Sequence, residues 1–179
     1  MSIVIPTLTN VTAWEFPEDA EAGKAALLEH WTQPSPVETW LRAYAFTMGE
    51  LATAIIQAAK VAPQHVYVDK SQYQAETEMQ ALCKTVAETP NVDLTIGTSP
   101  AGAGFIAHTK AFVDRDGNCW EGATNFSESA WHQVNTALQF VSPEWRDLIV
   151  AGFNRDVAYA WSSEASLQIM SKEPVLAVV

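Results

Sequence analysis

The chain has 179 residues, enough for one domain whose core needs no disulfide or metal staple. It is 48% hydrophobic and 17% charged, with no apolar run long enough to cross a bilayer, and reads as a soluble globular protein. A formal net charge of −11, with ten Lys and Arg in all, disfavours non-specific binding to a polyanion, which relies on basic side chains displacing counterions.

The first twenty residues lack both a basic start and a continuous apolar segment before a small-residue cleavage site, so a cytoplasmic protein is expected. Residues 1–12 are apolar and Thr-rich, an extended arm or edge strand. After Pro17 the run EDAEAGKAALLEHW predicts a helix with acidic residues in its first turn and an apolar face of Leu27, Leu28 and Trp31. VETWLRAYAFT predicts a buried strand over about 37–46. MGELATAIIQAAK then predicts a helix, with Thr47 placed to cap it. HVYVDKS reads as a short strand, with Ser71 as a helix cap at its end, and ETEMQALCKTVAET as an amphipathic helix stopped at Pro90-Asn91. VDLTIGT is a third strand. Strand, helix, strand, helix, strand is the alternation of an α/β domain with a mixed, largely parallel sheet flanked by helices.

The stretch from Gly104 to Asn125, GFIAHTKAFVDRDGNCWEGATN, carries the chemistry. FIAHTKAFV predicts a strand, Asp116-Gly117 favours a tight hairpin turn, and NCWEGA returns antiparallel. Strand side chains alternate, so His108 and Lys110 share a face, and Asn125 lies just past the returning strand where it reaches back to that face. A neutral imidazole attacks or takes a proton, while an ammonium and an amide donate to the oxygens of a tetrahedral oxyanion. SESAW predicts a helical turn, VNTALQFV a strand, and PEWRDLIVAGFNRDVAYAWS a last helix over about 143–162. His30, His65 and His132 have no partner pattern and read as structural or surface groups, His132 being the nearest to the cleft. Cys83 and Cys119 have neither zinc nor disulfide spacing and read as buried small hydrophobes. Trp120 is placed to pack under the site or at a contact between subunits.

H-T-K, followed by Gly122 and the run G-A-T-N, resembles the signature of the phospholipase D superfamily, H-x-K-x4-D and then G-S-x-N. TWLRAYAFT, HVYVDKSQ and VNTALQFVSP are similar to segments of that superfamily's small bacterial endonucleases, and the resemblance covers about residues 37–162. It divides the chain into an N-terminal extension with one helix (1–36), a phospholipase D-like catalytic domain (37–162) and a C-terminal tail (163–179).

The resemblance implies a hydrolase of phosphodiesters without metal or cofactor, in which one histidine forms a phosphohistidine and a second protonates the leaving oxygen and then activates water. A single signature implies a homodimer that brings His108 from each copy into one site, with Lys110 and Asn125 binding the phosphate. The implied substrate is DNA or RNA; a lipid or small phosphodiester, or retention of the fold as a binding module alone, are the other readings. Three positions depart from the pattern. The signature's Asp falls on Arg115, between Asp114 and Asp116. Its Ser is Ala123, beside Thr124. The Glu that orients the histidine in the small endonucleases is Val134, which leaves Gln133, Glu121 and Glu128 as candidate orienting groups.

Overall fold

The computed structural model describes residues 7–102 and 104–162. The expected tail from Ser163 and the first half of the N-terminal arm lie outside the described residues. In chain order the elements are β1 (Thr9–Phe16), α1 (Ala20–Thr32), β2 (Thr39–Ala43), α2 (Gly49–Ala58), β3 (Gln64–Asp69), α3 (Lys70–Ala75), α4 (Thr77–Ala87), β4 (Val92–Gly97), β5 (Lys110–Asp114), β6 (Asn118–Gly122), a 3-10 turn (Glu128–His132), β7 (Asn135–Val141) and α5 (Pro143–Ser162). Seven strands form one sheet in the order β1-β7-β6-β5-β2-β3-β4. Among the named strands, parallel pairing is confined to β2, β3 and β4, and the other four pairings are antiparallel. The sheet is therefore mixed, with its parallel part where the strand–helix alternation lies and its antiparallel part built on the consecutive strands β5, β6 and β7, flanked by β2 and β1.

Two apolar faces explain the layers. In β2, Leu41 and Ala43 are buried among residues of α1, α2 and α4, with Trp31, Leu51, Ile55, Met79 and Cys83 filling the space between helices and sheet. Trp40 lies on the opposite face, packed against Val113, Cys119 and Ile149 beneath α5. Alternation extends the arrangement across the sheet: Phe112 and Trp120 face α1, whereas Val113 and Cys119 face α5. Each large side chain so buried stabilises the fold by roughly 1.5–3 kcal/mol, and Trp31, Trp120, Phe46, Phe112 and Phe126 are among the largest that are fully buried. Cys83 and Cys119 are buried and unpaired, as their spacing predicted. The N-terminal extension adds β1 to the sheet edge beside β7 and covers the core with α1.

Two expected caps are corrected. Thr47 makes no side-chain cap for α2, whose N-cap is Met48; instead the backbone N–H groups of Thr47 and Met48 donate to the Phe126 carbonyl at 2.9 and 3.1 Å. Ser71 is not the cap of α3 either. The cap is Asp69, whose carboxylate accepts from the backbone N–H of Ser71 and of Gln72. Strand β5 also begins later than its apolar run predicts, at Lys110, because residues 105–109 have no neighbouring strand to pair with.

Asp114 explains the hairpin. Its Oδ1 accepts from the N–H groups of Asp116 (2.9 Å) and Asn118 (2.8 Å), and its Oδ2 from the Asn118 amide (2.7 Å). The loop is Arg115–Gly117, with Gly117 at φ 90°, a conformation glycine adopts without steric cost. Leaving such part-buried donors without an acceptor costs roughly 1–3 kcal/mol each at most. Asp114→Ala is therefore expected to lower unfolding stability by about 3 kcal/mol in a urea titration, since two backbone donors lose their acceptor. A loss below about 0.5 kcal/mol would mean that the backbone turn holds the hairpin unaided.

Candidate active site

The carboxyl ends of β2, β3 and β4 meet the amino end of β5 along one edge of the sheet, where open α/β sheets place their ligands. Strand β3 ends in Asp69, which is fully buried. One carboxylate oxygen caps α3; the other accepts from the N–H of Ala107 at 2.7 Å. The segment before β5 is thus tied to the end of β3, and the Thr98 hydroxyl donates to the carbonyl of Phe105 behind it. His108 comes directly after this anchored stretch, which explains how a loop residue acquires a defined place.

Lys110 is 4% exposed, and its ammonium donates to the His108 carbonyl at 2.8 Å. The same ammonium lies 4.9 Å from the centre of the Tyr44 ring. Burial pushes its pKa down to about 8, with Asp69 opposing the shift. His108 is exposed, and its ring meets that of Tyr44 edge to face with centres 4.5 Å apart. Partial desolvation lowers the imidazole pKa and the Lys110 charge lowers it further, while Asp69 acts in the opposite direction. The lowered imidazole pKa favours a neutral ring, while Lys110, at about 8, still carries its proton near neutral pH, and a neutral imidazole beside an ammonium suits a nucleophile and an electrostatic clamp.

Asn125 comes to this edge because its successor, Phe126, bridges to Phe46 just beyond β2. Its Oδ1 is buried without a hydrogen-bond partner, as is the hydroxyl of Thr124. A carboxamide presents either edge on rotation, so Asn125 is able to offer amide donors as well as its oxygen. Gly122 is required by packing: a Cβ would lie 2.4 Å from the Thr136 carbonyl oxygen and 2.7 Å from the Ala137 Cα, both backbone atoms of β7. Ala123 is exposed and supplies no hydroxyl.

The remaining candidates lie elsewhere. Asp114 and Asp116 stand at the far end of β5, roughly 13 Å from Lys110 at the usual strand rise. There Asp114 builds the turn and Asp116 pairs with Arg115 at 3.5 Å. Glu121 is the neighbour of Trp120 on β6 and so points to the α5 face; burial raises its pKa, and Arg42 on that face opposes the rise. Glu128 is bound to Lys24 of α1 at 2.9 Å. Gln133 is exposed beyond the 3-10 turn, and His132 is exposed within it. His30 lies against Phe112 beside Thr39 and Asp114, with its pKa lowered to about 4 by burial, and His65 sits between Glu38 and Asp93. Among the described residues no group of three His, Cys, Asp or Glu side chains is arranged to hold a metal.

Three members of the site were not foreseen: Tyr44, Asp69 as the anchor of the His108 segment, and Gln72, whose amide donates to the Tyr44 hydroxyl at 2.9 Å. Tyr44 and Asp69 both stand at the carboxyl ends of parallel strands, and that position was the available signal.

No protein-family profile matches the chain, and no curated protein matches it in sequence. Its fold does match solved structures. NucT from Helicobacter pylori superposes with a TM-score of 0.73 over 88% of this chain and 98% of its own, at 15% identity. Nuc from Salmonella typhimurium, described as a phospholipase D family member, superposes with a TM-score of 0.71 over 88% and 96%, at 16% identity. Polyphosphate kinase from Porphyromonas gingivalis matches 93% of this chain with 27% of its own length, at a TM-score of 0.64 and 15% identity. At these identities the likeness is one of fold, and the first two span nearly their whole length. With its mixed seven-stranded sheet, and the H-x-K signature at the edge where β2, β3 and β5 meet, the chain has the fold of the phospholipase D family.

Proposed function

We propose that the chain is a metal-independent phosphodiesterase that works through a phosphohistidine at His108, acting on nucleic acid as a homodimer with one shared site. The observation that carries this reading is the pairing of an exposed imidazole with a buried ammonium at the carboxyl edge of a phospholipase D fold. In the proposed reaction, neutral His108 of one copy attacks phosphorus and displaces the leaving oxygen, which takes a proton from the imidazolium of the other copy's His108. Lys110 and Asn125 donate to the non-bridging oxygens. Water, deprotonated by the second imidazole, then attacks the phosphohistidine and restores the first. No other group in the described site matches the signature's nucleophile.

A second substrate class is favoured by charge and by the rim of the site. All four arginines pair with aspartates and Lys24 pairs with Glu50 and Glu128, so that among the described residues Lys60, Lys70, Lys84 and Lys110 are the cations without a carboxylate partner, a small set with which to track a nucleic-acid backbone. Phe105 and Ile106, just before His108, are exposed at 60% and 45%, and such a rim suits a phosphodiester with an apolar substituent. Single-stranded DNA and a phospholipid, each competing against a chromogenic diester, separate the two classes.

His108→Asn is expected to keep its melting temperature within about 2 °C and to lose about 1,000-fold or more of its turnover of bis(4-nitrophenyl) phosphate in EDTA, because it removes the nucleophile. Retained turnover by the purified variant would refute the mechanism. The pH dependence has a definite direction. The reaction needs one neutral and one protonated imidazole, and both copies have a pKa lowered below the usual 6.5, so kcat/KM is expected to peak on the acid side of that value. Above about 8, where Lys110 loses its proton and its attraction for phosphate, the fall should steepen. A slope unchanged through that pH, measured with the same diester, would contradict the assignment of Lys110.

A further inference from the structure

His108 faces an unusual demand. The resemblance to the small endonucleases implies a Glu that orients the histidine, and here that position is Val134, 89% exposed. Gln133, Glu121 and Glu128 are placed elsewhere, and among the described residues the imidazole makes no hydrogen bond. A ring that must present a nitrogen to phosphorus within a narrow cone of directions needs some other constraint.

Tyr44 supplies the contact. It stands just past the end of β2, half-buried, with its ring centre 4.5 Å from that of His108 at an interplanar angle of 62°, an edge-to-face geometry. The Tyr44 ring is itself held at two further points. Its hydroxyl accepts from the Gln72 amide at 2.9 Å, and Gln72 belongs to the short helix that Asp69 caps. The Lys110 ammonium lies 4.9 Å from the ring centre, within the range of cation–π attraction. Backbone, helix and ammonium thus fix one aromatic ring, and that ring bounds the imidazole.

We infer that Tyr44 is the positioning residue that orients His108, using its ring in place of the missing carboxylate, and that the same ring seats the Lys110 ammonium. The inference rests on the phosphodiesterase reading of the site. Its physical consequence is specific. A carboxylate fixes a tautomer through a hydrogen bond and raises the imidazole's basicity. An aromatic ring restricts rotation, leaves both ring nitrogens free of hydrogen bonds and adds no negative charge. The charged or titratable groups around the pair are Lys110 from β5, Asp69 at the end of β3 and the Tyr44 phenol itself. Of these, Asp69 alone is anionic, and both its oxygens are engaged by N–H donors.

The test separates ring from hydroxyl in the full chain. Tyr44→Phe keeps the ring but loses the Gln72 contact that helps to hold it, and is expected to lower turnover of bis(4-nitrophenyl) phosphate by no more than about threefold. Tyr44→Leu removes it and is expected to lower kcat about 30-fold, with KM changed less than about threefold, since orientation matters to the reacting geometry more than to binding. In wild type, proton NMR should show nuclear Overhauser contacts between the Tyr44 and His108 rings and an aromatic ring-current shift on the His108 protons, lost in Tyr44→Leu. Unchanged kcat in Tyr44→Leu, an equal loss in Tyr44→Phe, or no ring-to-ring contact in wild type would each overturn the assignment. If Tyr44→Leu does not fold, the wild-type NMR contact and Tyr44→Phe decide. Wild type without turnover would refute the phosphodiesterase reading, while the NMR contacts still decide whether Tyr44 holds His108.

Discussion

Asp69 is shielded from water at the end of β3, and a bare carboxylate there would be costly, so its two oxygens must find donors. The rest of the site depends on how they do so. One oxygen takes the first N–H groups of α3 and the Ser71 hydroxyl; the other takes the N–H of Ala107. The second bond fixes the segment immediately before the signature, which has no strand partner of its own. The first fixes α3, and through Gln72 the ring of Tyr44. A single satisfied charge therefore locates the imidazole from behind and its aromatic wall from the side.

Charge shapes the remainder of the edge. The chain is strongly acidic, and its arginines sit beside aspartates, so the positive charge at this edge of the sheet comes from lysines, the buried Lys110 ammonium among them. Burial makes that ammonium easier to deprotonate and also less screened by solvent and salt, which strengthens its attraction for a bound phosphate. The same charge disfavours protonation of His108. In the proposed reading, a site of this kind would hold a single phosphate locally without an extended basic groove.

Much of the fold was legible because its signals are local. Leu51 and Ile55 recur at helical spacing, and β3 and β4 are short apolar runs bounded by turns; all took the predicted form. His108 and Lys110 were legible through an ordered motif. Tyr44 was not, because its role comes from strand pairing that places the end of β2 beside the start of β5, a contact between residues more than sixty apart in the chain. Asp69 ends the predicted strand HVYVDKS, but its bond to Ala107 needs the crossover that brings β3 next to β2. Asp114 looked like a displaced signature residue. Its three hydrogen bonds in the turn explain why a carboxylate stands there, one place before the signature position. The partners of Glu128 and Glu121 were equally invisible, since they lie on α1 and on the α5 side of the sheet.

In the proposed mechanism each chain carries half of a catalytic centre, with His108 as its nucleophile. Trapping the covalent intermediate tests this without relying on rates: rapid alkaline quench during turnover of a phosphodiester, then mass spectrometry of the whole chain and its peptides. The expected product is one phosphoryl ester adduct on His108, at a limit of about one per two chains, because the imidazole of the second copy serves as the acid. An adduct on another residue, or one adduct on every chain, would contradict the mechanism.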